Sequence, residues 1–199
     1  INNAHLPLTI CTENEYVDKD WTNLYSAHYS RLLPEFPRRC VRHHIFTGAY
    51  PNVAAALESP EPSYLGYYTV YPTQPVMRGR TFLSPSLFDL NAKICKVRNH
   101  EVHILGKERH LNGFPSSGQD GTYISCAHVS LWCMLRYFSE KYSFYRECYY
   151  SDLITKNDIT QYGRNVPTRG LAGDQINRII NSLNLTSALY TQPTRTPIE

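Results

Sequence analysis

The stretch that most constrains the fold runs from Gln119 to Phe138, because most of it has to form a buried helix. Over residues 127–138, apolar side chains lie at nearly every angle around a helix: Ala127, Val129, Leu131, Trp132, Met134, Leu135 and Phe138. A helix that is apolar all round belongs in the centre of a domain. The chain has 199 residues and 42% hydrophobic content, which is enough for one sizeable core or two small domains.

A cysteine stands at the start of this predicted helix. A thiol at a helix N-terminus faces unpaired backbone N–H groups and the positive end of the helix dipole, which favour the nucleophilic thiolate. Seven residues before Cys126 lies Gln119, whose side-chain amide can donate a hydrogen bond to an oxyanion. Together with the backbone N–H of Cys126, it would form an oxyanion hole for a tetrahedral intermediate. The competing interpretation makes Cys126 one more buried cysteine of a core helix.

This arrangement resembles the papain-like cysteine peptidases, and most nearly their bacterial C39-like branch. In that family a glutamine about half a dozen residues before the nucleophile lines the oxyanion hole. The matching runs here are residues 114–120, 126–127 and 130–132, and residues 170–176 resemble the Gly-Leu segment that leads into a later helix. The resemblance covers about residues 113–190. It implies an α+β papain-like fold with a helical lobe that carries the nucleophile on its central helix. The strand-forming composition of the residues before this lobe predicts an antiparallel β-rich region there.

The resemblance also implies a base histidine well after the cysteine, but the only later histidine is His128. Residues two apart on a helix point about 200° apart, so His128 is not expected to serve Cys126. We expect a partner protein or a remaining segment of the same protein to supply the base, since Ile1 and the loop-like residues 190–199 favour a truncated or processed chain. In a permuted arrangement the base would lie upstream, where His103 and His110 are candidates, although a structural role is favoured for both.

The composition predicts neither a cofactor nor a metal site. The six cysteines show no paired metal-ligand spacing, and most are expected to be reduced core cysteines. A net charge of +3 gives no nucleic-acid footprint. The basic cluster at residues 38–44 is interpreted as a solvated strand end rather than a phosphate site. No run approaches a membrane span, so neither a nucleic-acid nor a membrane partner is predicted. The expected location is the cytoplasm, with a secreted effector as the alternative.

Three segments are predicted along the chain: an N-terminal helix and strand segment over residues 1–60, a β-rich region over 61–112, and a papain-like helical lobe over 113–199 that is incomplete at its C-terminal end. The first segment contains a helix over 12–31, capped by Thr12. A strand over 40–46 and a short helix over 53–57 follow. The Pro- and Glu-rich residues 58–63 predict a linker.

Four strands are predicted in the β-rich region, over residues 64–71, 78–83, 93–98 and 101–105, with a hairpin turn at Asn99-His100. His103 alternates with Val102 and Ile104, so it is expected on the polar side of its strand.

Three features are predicted after the central helix. The aromatic residues 142–150 are expected to pack across it. A short helix and a turn follow over 152–159. Ile176, Ile179, Ile180 and Leu183 recur at helical spacing, which predicts an amphipathic helix over 174–183.

Two functions follow from this sequence. The first is a thiol peptidase that cleaves a peptide or isopeptide bond through Cys126 and Gln119, with Asp120 expected to orient the glutamine loop. The second is a catalytically inactive papain-like interaction module, whose many tyrosines (16 in the chain) would bind a protein partner. A nucleic-acid binder would rest only on the arginine cluster.

Overall fold

All six strands of the large antiparallel sheet come from the first 116 residues. The computed structural model describes residues 7–33, 35–88, 95–121, 124, 126–155, 160–161, 164–165 and 171–190. Within them the protein is a mixed α/β structure with one six-stranded sheet, a two-stranded ribbon and several helices. The strands are β1 (Leu8–Tyr16), β2 (Cys40–Thr47), β3 (Tyr64–Tyr71), β4 (Met77–Leu83), β5 (Val97–Ile104), β6 (Lys107–Ser116), β7 (Thr160–Gln161) and β8 (Arg164–Asn165). The helices are α1 (Lys19–Ala27), α2 (Val53–Leu57), α3 (Cys126–Lys141), α4 (Tyr150–Thr155) and α5 (Gly173–Ser182).

The large sheet has the order β1-β2-β3-β4-β6-β5, and it curls. Three strands separate β2 from β5, yet Arg42 Nη2 of β2 donates a hydrogen bond to the His103 carbonyl of β5 across 2.7 Å. A flat sheet would hold these strands about 19 Å apart, which is beyond the reach of an arginine side chain. The curl encloses one apolar core, which includes Phe46, Tyr67, Phe82 and Val102.

A second core lies between the sheet and the helices. Trp21 and Leu24 of α1 pack with Trp132 of α3 and Leu153 of α4, and all four are fully buried. Trp132 stacks on the ring of Tyr150 with 5.4 Å between ring centroids. The expectation that the aromatic segment packs across the central helix is thus met at its last residue.

The strands at residues 40–46, 64–71 and 78–83 are confirmed, and so are the helix at 53–57, the central helix and the amphipathic helix, of which Ile179 is fully buried. The short helix after residue 150 is also present as α4. Residues 93–94, 156–159, 170 and 191–199 lie outside the described residues. Several predicted features fall on these residues: the start of one predicted strand, the predicted turn after α4, the first residue of the Gly-Leu segment and nearly all of the predicted C-terminal loop.

The predicted start of the first helix is wrong. Residues 8–16 form β1, which pairs with β2, and α1 begins only at Lys19, where the Asp18 carboxylate accepts a hydrogen bond from the Trp21 N–H. Threonine is a residue type that often caps a helix. The segment around Thr12 instead pairs with the edge of β2 and forms a strand. Val17, which lies between β1 and α1, is 62% exposed.

The predicted turn at Asn99-His100 is also wrong. Both residues lie inside β5, where the register shifts and Asn99 has a positive φ of 57°. The hairpin instead turns at Leu105 and Gly106, and its second strand, β6, was not predicted. Buried and exposed residues alternate in β6, where Arg109, Leu111, Gly113 and Pro115 are buried. The charged residues at the start of this strand conceal the alternation in the sequence.

Strands from both sides of the predicted linker belong to the same sheet, since β2 pairs with β3. Residues 61–63 form a single turn of 3-10 helix. The division of the chain into three segments, with boundaries at residues 60 and 112, stays a prediction. None of the helices in the described ranges combines the length and apolarity needed to cross a bilayer.

Candidate active site

The loop that carries Gln119 is held between the sheet and α3. It follows β6, and the Gly118 N–H donates a hydrogen bond of 2.7 Å to the Arg78 carbonyl of β4. A Cβ atom at Gly118 would lie 2.9 Å from that carbonyl oxygen, so the close approach requires glycine. Ser117, one residue earlier, approaches the sulfur of Cys133 on α3 with its backbone. The loop thus runs along α3 towards the first turn of that helix.

Cys126 and Gln119 are brought together at the end of this loop. Cys126 is the first residue of α3, and both side chains are exposed. The Cys126 thiol donates a hydrogen bond to Gln119 Oε1 across 2.8 Å. The same carboxamide carries an NH2 group that donates hydrogen bonds, and the first backbone N–H groups of a helix have no partner within the helix. An oxyanion formed beside the sulfur would therefore have both kinds of donor within the same site.

Asp120 fixes the segment between the glutamine and the cysteine. Its side chain is buried, and Oδ2 accepts a hydrogen bond of 2.5 Å from the Tyr29 hydroxyl. Oδ1 accepts a hydrogen bond of 2.7 Å from the Ile124 N–H, which closes the loop just before α3. The proposed orienting role of Asp120 thus has a geometric basis.

The charge of the Asp120 carboxylate affects the pKa of two histidines. Burial lowers the pKa of both His28 and His128, and the charge of Asp120 acts against that lowering in each case. His28 is half-buried, and its ring meets that of Tyr29 edge-on with 5.0 Å between centroids. His128 is buried whereas Cys126 is exposed, so the two point to different sides of α3, as their spacing predicts.

His103 and His110, the upstream candidates for the base, lie on the outer face of the β5–β6 hairpin. Their nearest acidic partners are Glu101 and Glu108, and the His103 side chain is 63% exposed. On the inner face of β5, His100 Nδ1 lies 3.0 Å from Glu140 Oε2. Glu140 follows Cys126 by fourteen positions on α3, about 21 Å along the helix axis. This contact therefore joins β5 to the far end of α3.

All six cysteines are free. Cys11, Cys40 and Cys148 are buried and Cys133 is half-buried, which confirms the expectation for most of them; only Cys126 and Cys95 are exposed. Burial raises the pKa of Cys40 and that of Cys148 to about 12. Neither of these two thiols is suited to act as a nucleophile at neutral pH.

The basic cluster at residues 38–44 is not one solvated strand end. Arg38 and Arg39 are exposed, but Arg42 and His44 are buried and both bond to Glu13 Oε2, at 2.5 and 3.0 Å. The alternation of β2 turns the last two inwards, where β1 supplies the carboxylate.

Sequence reasoning did not connect Tyr29 and His28 with the loop around Asp120. These residues are about ninety positions away in the chain, and only the packing of α1 against α3 brings them near. No local pattern signals such a contact.

Comparisons of the chain with protein-family models, curated proteins and solved structures return no match.

Proposed function

We propose that the protein is a papain-like cysteine peptidase that cleaves a peptide or isopeptide bond. The observation that carries the proposal is the 2.8 Å contact between the exposed Cys126 thiol, at the start of α3, and the Gln119 side chain. The papain-like relationship itself rests on the sequence resemblance around these two residues.

The reaction would begin with attack of the Cys126 sulfur on the substrate carbonyl carbon, while a base takes the thiol proton. The carbonyl oxygen becomes an oxyanion, stabilised by the Gln119 NH2 group and the Cys126 backbone N–H. Collapse of the tetrahedral intermediate expels the amine, which takes up a proton, and leaves an acyl-enzyme. Water then releases the acid and restores the thiol.

The base would come from a partner protein or from a further segment of the same protein. A second source is His28, because its half-buried imidazole lies against Tyr29, whose hydroxyl binds Asp120 of the active-site loop. Turnover that persists in a His28→Asn variant would exclude this imidazole as the base.

Peptide cleavage tests the proposal. This chain and any longer form of the protein are each incubated with a complex peptide mixture and new termini are identified by mass spectrometry, with Cys126→Ser as the paired control. Cleavage at a recurrent sequence that disappears in Cys126→Ser supports a peptidase. Cleavage that persists in this variant comes from another source and contradicts the assignment of the nucleophile.

The alternative function, a catalytically inactive interaction module, is favoured by an aromatic patch beyond α3. Tyr142, Phe144 and Tyr145 form a ring cluster there, and Phe144 is 75% exposed. Exposed aromatic clusters of this kind commonly mark protein-binding surfaces. Under this alternative, Phe144→Ser abolishes capture of a protein partner, whereas Cys126→Ser leaves that capture unchanged.

A further inference from the structure

The outer face of the β5–β6 hairpin gathers two imidazoles and two carboxylates. In the antiparallel register, His103 lies opposite Glu108 and Glu101 lies opposite His110. Residues two apart on a strand share a face, so the four side chains form a square on one side of the hairpin. The opposite face is apolar and packs into the core through Val102 and Ile104.

Three of these residues already place ligand atoms close together. One such atom from each of Glu101, His103 and Glu108 lies within 4.8 Å of the other two. His103 Nε2 is 3.4 Å from Glu101 Oε1, and His110 Nε2 is 2.9 Å from Glu108 Oε1. A tetrahedral zinc ion with bonds of about 2.1 Å holds its ligand atoms about 3.4 Å apart. The ligand atoms here lie up to 4.8 Å apart, and rotations of these exposed side chains would bring them to the spacing that zinc requires.

Lys107 and Arg109 of the hairpin do not neutralise this cluster. Lys107 pairs with Glu58, and Arg109 turns inwards, where it bonds to the Leu57 carbonyl and lies near Glu61. Among the described residues, the ion pairs of Glu101 and Glu108 are with histidines alone. The two carboxylates therefore keep a negative charge beside imidazole nitrogens, which suits a divalent cation.

We propose that this face binds a divalent transition-metal ion, with Zn2+ as the best match. Glu101, His103 and Glu108 would supply three ligands, and His110 would supply the fourth ligand. Mixed nitrogen and oxygen donors fit zinc, whereas magnesium and calcium favour oxygen alone. The ion would pin β5 to β6 at the edge of the sheet. It lies apart from the thiol site, since His100 of the same strand contacts Glu140 at the other end of α3.

Calorimetric titration of the metal-free chain with Zn2+ at about pH 7.5 tests the site. A Cys95→Ser, Cys126→Ser background removes the exposed thiols, which bind zinc themselves. We expect one equivalent to bind in this background. His103→Asn and Glu108→Gln should each weaken binding about tenfold or more, whereas His43→Asn, a partly exposed histidine of β2, should leave it unchanged.

Three results would overturn the proposal. These are absence of binding in the thiol-free background, equal affinity in His103→Asn and His43→Asn, or a Co2+ complex whose spectrum shows thiolate ligands and which is lost with the two cysteines. Circular dichroism of each variant establishes that its sheet is intact, so a loss of binding reports the ligands themselves. Failure of the peptidase proposal leaves this test unaffected, because the titration uses no catalytic readout.

Discussion

At the scale of single residues, Asp120 is the group on which the candidate site depends most. Its carboxylate accepts hydrogen bonds from the Tyr29 hydroxyl and the Ile124 N–H, and thereby joins the segment after α1 to the residues before Cys126. Gln119 is the preceding residue, so its position follows from this anchor.

Asp120→Asn is expected to lower both stability and Cys126 reactivity. An amide keeps the shape but loses the charge of the acceptor, and hydrogen bonds to charged groups contribute about 1.5–3 kcal/mol each. We expect a loss of about 1–3 kcal/mol in the free energy of unfolding and slower alkylation of Cys126, measured by urea denaturation and iodoacetamide kinetics. Tyr29→Phe removes one of the two bonds and should lose less. An unchanged alkylation rate in Asp120→Asn would contradict the anchoring role.

Glu13 is expected to make the fold sensitive to acid. Burial would raise the pKa of this carboxyl group, but hydrogen bonds from His44 and Arg42 outweigh it and lower the pKa to about 2. Because the folded-state pKa lies below the ordinary 4.5, the carboxylate stabilises the fold fully above about pH 4.5, and this contribution is lost as the pH falls towards 2. With a side chain 18% exposed, we expect an effect on the order of 2 kcal/mol.

Urea unfolding at several pH values between neutral and about 3 measures this dependence. Glu13→Gln should be less stable than the parent at neutral pH and should lose little more on acidification below pH 4.5. Burial also lowers the pKa of His44, so both proteins share a loss that begins below its ordinary 6.5. A Glu13→Gln variant with the same steepness as the parent below pH 4.5 would show that another carboxylate is responsible.

At the scale of elements, a buried ionic network fastens α3 to α1. Arg136 Nη2 lies 2.8 Å from Asp20 Oδ1, and Trp132 Nε1 donates to the same oxygen across 3.1 Å. Burial raises the pKa of Asp20, and the charges of Arg136 and Arg80 oppose that rise. The predicted helix was expected to be apolar all round, yet Arg136 is one of its most deeply buried residues.

Arg136→Met is expected to destabilise the fold by about 3–5 kcal/mol, because it leaves Asp20 buried without its main partner. Arg146→Met is the matched control. Arg146 also pairs with an aspartate, but its side chain is 64% exposed, so a loss below about 1 kcal/mol is expected. Guanidinium unfolding followed by tryptophan fluorescence measures both variants. Similar losses in the two would show that burial of the network contributes nothing.

The β5–β6 hairpin contains a residue unsuited to its turn. Leu105 has a φ of 47° and Gly106 a φ of 82°, and turns with two positive φ angles favour Asn-Gly. Leu105 is 70% exposed, so little burial is lost on substitution. We expect Leu105→Asn to raise the free energy of unfolding by about 0.5–1 kcal/mol, and Gly106→Ala to lower it by about 1 kcal/mol. A destabilised Leu105→Asn would mean that the leucine packs against the neighbouring β1 segment.

At the scale of the whole molecule, sequence patterns predicted the elements whose formation depends on residues close together in the chain. The central helix was predictable because its apolar residues are continuous, and Ile176, Ile179 and Ile180 mark α5 in the same way. The start of α1 was not, since Thr12 and Asp18 are both plausible caps and only pairing with β2 decides between them.

The candidate site shows the same division. Cys126 and Gln119 are close in sequence and were predicted as a pair. Their support is distant: Arg78 holds Gly118 from β4, and Tyr29 holds Asp120 from the segment after α1. Arg42 and His44 were misassigned for a related reason, because their partner Glu13 comes from a strand that was predicted as a helix.

Competitive alkylation tests the central claim most directly. Cys126 and Cys95 are the two exposed thiols, so Cys95 is a control matched for accessibility. The chain is treated near pH 6.5 with less iodoacetamide than protein, and the labelled sites are read by mass spectrometry. We expect Cys126 to react well ahead of Cys95 and to lose this advantage in Gln119→Ala. Labelling of Cys126 no faster than Cys95 would contradict an assembled nucleophile and favour the interaction module.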